Sequence, residues 1–180
     1  MNQILKKSFA ALFVFALLSS NIMAEEPVQH ARKTMEISVN PLMLALGYLP
    51  LNFRVALTNK MALGLQAYGR FFGFGNYKIH GGGGGISAKF FLNGTAISDS
   101  WFVEPAIGAG YSNYNGVGYW SISPRVIAGY TWVWDSGFLI NLGIGAEYTH
   151  AFVDKGVFGK HSYGFHGIWP TGEFSLGWAW

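Results

Sequence analysis

From residue 35 onward, apolar and polar side chains alternate along the chain. Leu49, Leu51, Phe53, Val55 and Leu57 share one parity, and Pro50, Asn52, Arg54, Ala56 and Thr58 share the other. Further on, Phe138, Ile140, Leu142, Ile144, Ala146 and Tyr148 alternate with Leu139, Asn141, Gly143, Gly145 and Glu147. A period of two marks a strand with one apolar and one polar face. The pattern predicts eight strands, over 35–46, 49–58, 60–72, 84–93, 101–111, 120–134, 137–148 and 170–180. The first breaks phase: Met35, Ile37 and Val39 fall on one parity, Leu42, Leu44 and Leu46 on the other. A one-residue bulge near Asn40 and Pro41 restores a single apolar face. Pro105 and Pro124 sit inside strands, where each removes a ladder donor.

Composition changes the picture in one respect. Hydrophobic residues make up 51% of the chain and charged residues 12%, yet beyond residue 24 no apolar run reaches the ~20 residues of a spanning helix. The apolar side chains are therefore spread over strands. Lys6 and Lys7 precede an apolar run over 9–18, and 19–24 reads as a cleavage region ending at Ala24. This predicts a cleaved secretory signal peptide over 1–24, a polar periplasmic lead over 25–34 and a barrel over 35–180. Without Lys6 and Lys7 the formal net charge of +3 falls close to neutrality, so a basic face for nucleic acid is not expected. The chain has no cysteine, which excludes disulfides, thiol catalysis and Cys-based zinc sites.

Alternation alone leaves open which face is inside. A soluble, lipocalin-like barrel points its apolar face inward, and a membrane barrel points it outward. Three features favour the membrane. The polar parity is rich in glycine (Gly64, Gly85, Gly108, Gly110, Gly129, Gly143, Gly145, Gly177), which suits a narrow lumen better than a solvated wall. The same parity carries Glu36, Arg54, Arg70, Lys89, Glu104, Arg125, Glu147 and Glu173. Four cations and four carboxylates predict an internal salt-bridge network, since an unpaired buried charge is costly. The aromatics form two groups. Trp101, Trp132, Trp134, Phe138, Trp178 and Trp180 fall at one set of strand ends, and Phe71, Tyr111, Trp120, Tyr148 and Trp169 at or near the other. Two belts are what the two interfaces of a bilayer select.

The ending is more specific. Glu173, Trp178 and Trp180 are similar to the C-terminal sorting signal of bacterial outer-membrane β-barrels, with Ser175 where that signal has a glycine. The resemblance implies recognition by the outer-membrane barrel assembly machinery, with Trp180 at the periplasmic interface. Over 35–180 the chain resembles the small eight-stranded outer-membrane proteins of the OmpA/OmpX type. That implies an all-β, eight-stranded antiparallel up-and-down transmembrane β-barrel in the bacterial outer membrane, surrounded by outer-membrane lipid and lipopolysaccharide. The implied lumen is plugged by side chains and holds no cofactor. The expected role is structural, or interaction with a surface ligand through external loops around Asn76, Asn115 and Lys155. The alternatives are a narrow channel or porter like the OmpW family, and a lipid A-modifying barrel enzyme. No soluble appendage is expected.

With both termini periplasmic, turns are expected at 59, 94–100 and 135–136, and external loops at 47–48, 73–83, 112–119 and 149–169. The run His80–Gly85 looks like a phosphate loop, but a strand rather than a helix follows it, so it is expected to be a flexible loop. His150, Asp154, His161 and His166 crowd the last loop without metal-ligand spacing, and no metal site is expected. Lys78, Lys155 and Lys160 are candidates to meet lipopolysaccharide phosphates, or are ordinary solvated charge. The lipid A deacylase family places a His and a Ser two residues apart on a strand. Here Phe152 follows two after His150, and Tyr163 two after His161, so no enzyme is expected.

Overall fold

The computed structural model describes residues 32–74, 77–114, 116–153 and 166–180. The expected signal peptide, most of the expected lead, Asn76, Asn115, Asp154, Lys155, Lys160 and His161 lie outside these residues. The strands are β1 (Met35–Val39), β2 (Tyr48–Ala56), β3 (Met61–Phe74), β4 (Tyr77–Phe91), β5 (Ser100–Tyr114), β6 (Val117–Val133), β7 (Phe138–Val153) and β8 (His166–Ala179), with one short helix, α1 (Pro41–Ala45), between β1 and β2. Each strand pairs antiparallel with its neighbours in sequence, and β1 pairs with β8, so the sheet is a closed barrel. Closure is made at the chain end: the N–H groups of Thr34 and Met35 donate to the Trp180 carbonyl at 2.7 and 3.0 Å, and Trp180 N–H donates to Met35 at 3.1 Å. Closing the sheet leaves no free strand edge.

Three expectations are corrected. The first strand does not run to residue 46 through a bulge. It stops at Val39, and α1 follows. Asn40 caps that helix, its side-chain oxygen accepting from Met43 N–H at 3.1 Å, and Pro41 occupies the first helical turn. An Asn cap followed by Pro is a strong helix start, and here it overrides the β-pattern of the leucines. The run His80–Gly85 is also not a loop. It lies inside β4, paired with β3 from Arg70↔Gly81 to Gln66↔Gly85 and with β5 from Gly81↔Ser112 to Gly85↔Gly108. Lys78 lies on the same strand. The expected loops at 73–83, 112–119 and 149–169 all shrink, because the flanking strands continue into them, and the expected loop at 47–48 gives way to a β2 that already starts at Tyr48.

The glycines of β4 and β5 are needed for close approach. The Tyr68 ring from β3 lies across the inner wall, so that a Cβ on Gly83 would stand 2.6 Å from the Tyr68 hydroxyl, and one on Gly110 would overlap it. The two prolines are placed where pairing lapses. The β4–β5 ladder is interrupted between Ser87↔Ala106 and Phe90↔Val103, beside Pro105, while β5–β6 continues through Pro105↔Val126. The β6–β7 ladder is interrupted between Ile122↔His150 and Arg125↔Glu147, beside Pro124, while Ile107↔Pro124 is kept on the other side. Each proline thus removes its missing donor from one neighbour only.

The connection between β4 and β5 does more than turn the chain. Ala96 and Ile97 are buried in a cluster with Ala62, Phe91, Leu139 and Ala179, and Ala96 N–H donates to the Asn59 carbonyl at 2.6 Å. Ile97 has φ +58°, an outlier for a β-branched residue. Its burial at 2% exposure holds it there. The end of the barrel where β1 starts and β8 ends is therefore floored by apolar side chains.

Gly110→Ala is expected to cost about 1–3 kcal/mol through overpacking, and less than half of that in a Tyr68→Ala background. Urea unfolding of the refolded single and double variants measures the difference.

Candidate functional site

The inward parity of every strand forms the lumen, which has three layers. Next to the termini is the apolar floor. Above it lies a layer of buried ions centred on Arg54 of β2, which is 1% exposed. Its Nη1 donates to Glu36 Oε1 of β1 at 2.6 Å, its Nη2 to Glu173 Oε1 of β8 at 2.9 Å. Glu104 of β5 is gripped side-on, by Arg54 Nη2 at 2.9 Å and Nε at 3.3 Å. Charge-assisted, forked contacts of this kind are the strong class of hydrogen bond.

Lys89 and several neutral side chains complete the layer. Lys89 Nζ of β4 donates to Asn141 Oδ1 of β7 at 2.6 Å and lies 4.0 Å over the Phe102 ring. Asn141 Nδ2 donates to Glu36 Oε1 at 2.9 Å and to Ser175 Oγ at 3.1 Å. Ser38 Oγ also donates to Glu36 Oε1, and Ser175 Oγ to Glu173 Oε1, each at 3.0 Å. Thr131 Oγ1 reaches Asn141 Oδ1 at 2.7 Å. Two buried oxygens of this layer, Glu36 Oε2 and Ser87 Oγ, have no partner.

Above the ions is a cavity of about 640 Å³. It runs from Arg54 and Glu173 up to Tyr48, Ser112 and Ala151 at the loop end. Arg125 of β6 donates to Gln66 Oε1 of β3 at 2.6 Å, across the barrel. Its approach to Glu147 is only 4.0 Å, with both side chains partly exposed. Glu147 accepts instead from Thr149 Oγ1 at 3.1 Å. Arg70 of β3 stacks over the Tyr48 ring at 4.4 Å and reaches the Tyr119 hydroxyl at 3.4 Å. Two buried donors here, Gln66 Nε2 and Arg70 Nε, have no partner, a situation worth roughly 1–3 kcal/mol of lost solvation each.

All eight charges predicted for the lumen lie on the inner parity, but they form two groups rather than one network. Glu36, Arg54, Lys89, Glu104 and Glu173 meet in the lower layer. Arg70, Arg125 and Glu147 line the cavity above. The charge pattern did not single out Asn141, Gln66, Tyr48, Tyr68, Tyr119 or Phe102. Parity alone placed Asn141 and Gln66 opposite their apolar neighbours, and that was the available signal; Tyr48, expected in an external loop, opens β2 instead.

The outer parity carries the aromatics. Trp101, Trp132, Trp134, Phe138, Trp178 and Trp180 are exposed at the terminal end, and Phe71, Tyr111, Trp120 and Tyr148 at the loop end. Neighbours touch: Trp101 meets Tyr130 edge-on with centroids 5.3 Å apart, and Tyr111 meets Trp120 at 5.3 Å. Trp169 differs. Its register partner is Glu147, so it belongs to the row of Thr171 and Glu173. His150 and His166 pair across β7 and β8 with rings 6.1 Å apart. Among the described residues no group of three or more possible metal ligands gathers. No family model, curated protein or solved structure matches the chain.

Arg54→Met leaves three buried carboxylates without their shared cation and is expected to cost about 3–5 kcal/mol. Arg70→Met loses a partly exposed stacking contact worth about 0.5–1 kcal/mol. Unfolding midpoints of the two variants in urea give the comparison, and equal losses would mean that Arg54 is not the centre of the layer.

Proposed function

We propose that the protein is an integral β-barrel of the bacterial outer membrane, delivered by a cleaved signal peptide and the barrel assembly machinery. Its lumen is blocked, and its role is structural or surface interaction through the loop end. One observation carries this reading: the barrel is inside out. Arg54, Glu36 and Lys89 are fully buried, while Ile144 is 80% and Ile168 76% exposed. These apolar residues belong to a continuous outer wall with Leu49, Leu51, Leu63, Leu65, Ile86, Ile107, Ile122 and Leu142. A soluble surface rarely carries an apolar patch beyond a few hundred Å². Hydrocarbon removes that conflict, and each large aliphatic side chain taken out of water contributes about 1.5–3 kcal/mol.

The two aromatic groups fit the interfaces of a bilayer. Helix α1 extends the apolar wall past the end of β1, since Leu42, Leu44 and Leu46 are exposed. The sorting-signal residues have structural roles compatible with this reading: Glu173 is held by Arg54 and Ser175, and Trp178 and Trp180 lie on the outer wall where β8 meets β1.

The cavity favours a second reading, a narrow channel. Against passage stand the Arg54 layer and the apolar floor of Phe91, Ile97 and Leu139 below it.

Fractionation tests the first reading. The protein is expected in outer membranes, compact in SDS before boiling and shifted after it. Recovery from the soluble periplasm with no heat shift would overturn it. In planar bilayers the purified protein is expected to give no steady conductance steps, and steps that change with Arg125→Ala would replace the blocked barrel with the channel.

A further inference from the structure

We propose that the cavity above the Arg54 layer binds a small monoanionic solute, one that presents a carboxylate on a compact polar body of about monosaccharide size. The inference deepens the surface-interaction reading and rests on it for access from the loop end.

Three observations point to an anion. The first is the surplus of donors. Arg125 can only donate, so its 2.6 Å contact fixes the Gln66 oxygen toward it and leaves the Gln66 amide nitrogen facing elsewhere. That nitrogen and Arg70 Nε are buried without partners. Both are donors on side chains that line the cavity, so a small rotation of either would present an N–H to an oxyanion, which supplies acceptors only. The second is charge. Arg70 and Arg125 face Glu147, and the other carboxylate lining the cavity, Glu173, is already held by Arg54 at 2.9 Å and Ser175 at 3.0 Å. The upper lumen therefore carries one cation in excess, against one carboxylate in excess in the layer below, and the 4.0 Å separation of Arg125 Nη1 from Glu147 leaves Nη1 to meet a carboxylate oxygen while Nη2 holds Gln66.

The third is shape. About 640 Å³ lies within the range of small-molecule sites, roughly 300–1,000 Å³. Tyr48, Tyr68 and Tyr119 line it, and tyrosine offers a flat apolar body with a polar tip. The ion layer and the apolar floor close it below, so it is a place to bind rather than a path to follow.

The test is calorimetric titration of the full chain, purified in detergent and shown to be heat-modifiable, with three sugars of similar ring size: glucuronate, glucose and glucosamine. Glucuronate is expected to bind at least about tenfold more tightly than glucose, as one charge-assisted contact provides, and glucosamine is expected to bind no better than glucose. Arg70→Gln and Arg125→Gln are each expected to remove most of that preference. No binding of glucuronate, equal binding of all three sugars, or an unchanged preference in both variants overturns the site. If a variant loses its heat shift, the ranking by the natural protein decides alone. A soluble protein with the ranking intact would sink the outer-membrane reading and leave the anion site standing. A membrane protein with no ranking would do the reverse.

Discussion

A guanidinium buried to 1% exposure must be paired, and much of the lumen follows from pairing Arg54. Its three carboxylates come from β1, β5 and β8, elements far apart in sequence. Glu36 and Glu173 reach it together only because the barrel closes between β1 and β8. Closure and ion cluster thus support each other: without the ladder the carboxylates disperse, and without the cation the closed lumen would hold three unpaired charges, a severe cost. The small residues around Arg54 follow from the same need. Gly64 is its register partner on β3, and a Cβ there would stand 3.3 Å from Arg54 Cγ and overlap Ser87 Oγ.

The apolar floor belongs to the same arrangement. Phe91 and Phe102 lie 5.5 and 4.0 Å from Lys89 Nζ, and Ile97 fills the mouth beneath them. Excluding water from one side lowers the local dielectric, which strengthens paired charges and penalises unpaired ones. Glu36 Oε1 takes donors from Arg54, Ser38 and Asn141, while Glu36 Oε2 is left without one. The strained backbone at Ile97 is the local cost of bringing a side chain into the mouth from a turn.

The strand count, the inward charges and the outward aromatics other than Trp169 were legible in the sequence because each depends only on a period of two. What escaped depended on something else. The helix at Pro41 was hidden because the leucines keep a strand-like alternation while Asn40 and Pro41 carry the capping signal. The glycine run of β4 was misread because glycine has no β-propensity; it is a strand through its partners, Tyr68 above all, and those are not local. The division of the eight charges into two groups depends on height along the barrel, which the alternating pattern does not encode. Asn141 and Gln66, neutral residues that tie the charges together, carried no signal beyond parity.

The two groups are also unlike in chemistry. Below, three carboxylates meet two cations through short contacts, and the two unpartnered atoms, Glu36 Oε2 and Ser87 Oγ, are both oxygens. Above, two cations meet one carboxylate, the ion pair is stretched, and donors are left over. A lumen filled only for stability would be expected to close the Arg125–Glu147 gap and pair Gln66 fully, since both partners already line the same space. Instead Gln66 holds Arg125 from the opposite wall, and Thr149 holds Glu147 back. Departures from local satisfaction in an otherwise consistent structure mark the places where something other than folding is served. The layer below makes those departures possible, because it fixes the walls that carry Arg70 and Arg125 through contacts that involve neither side chain.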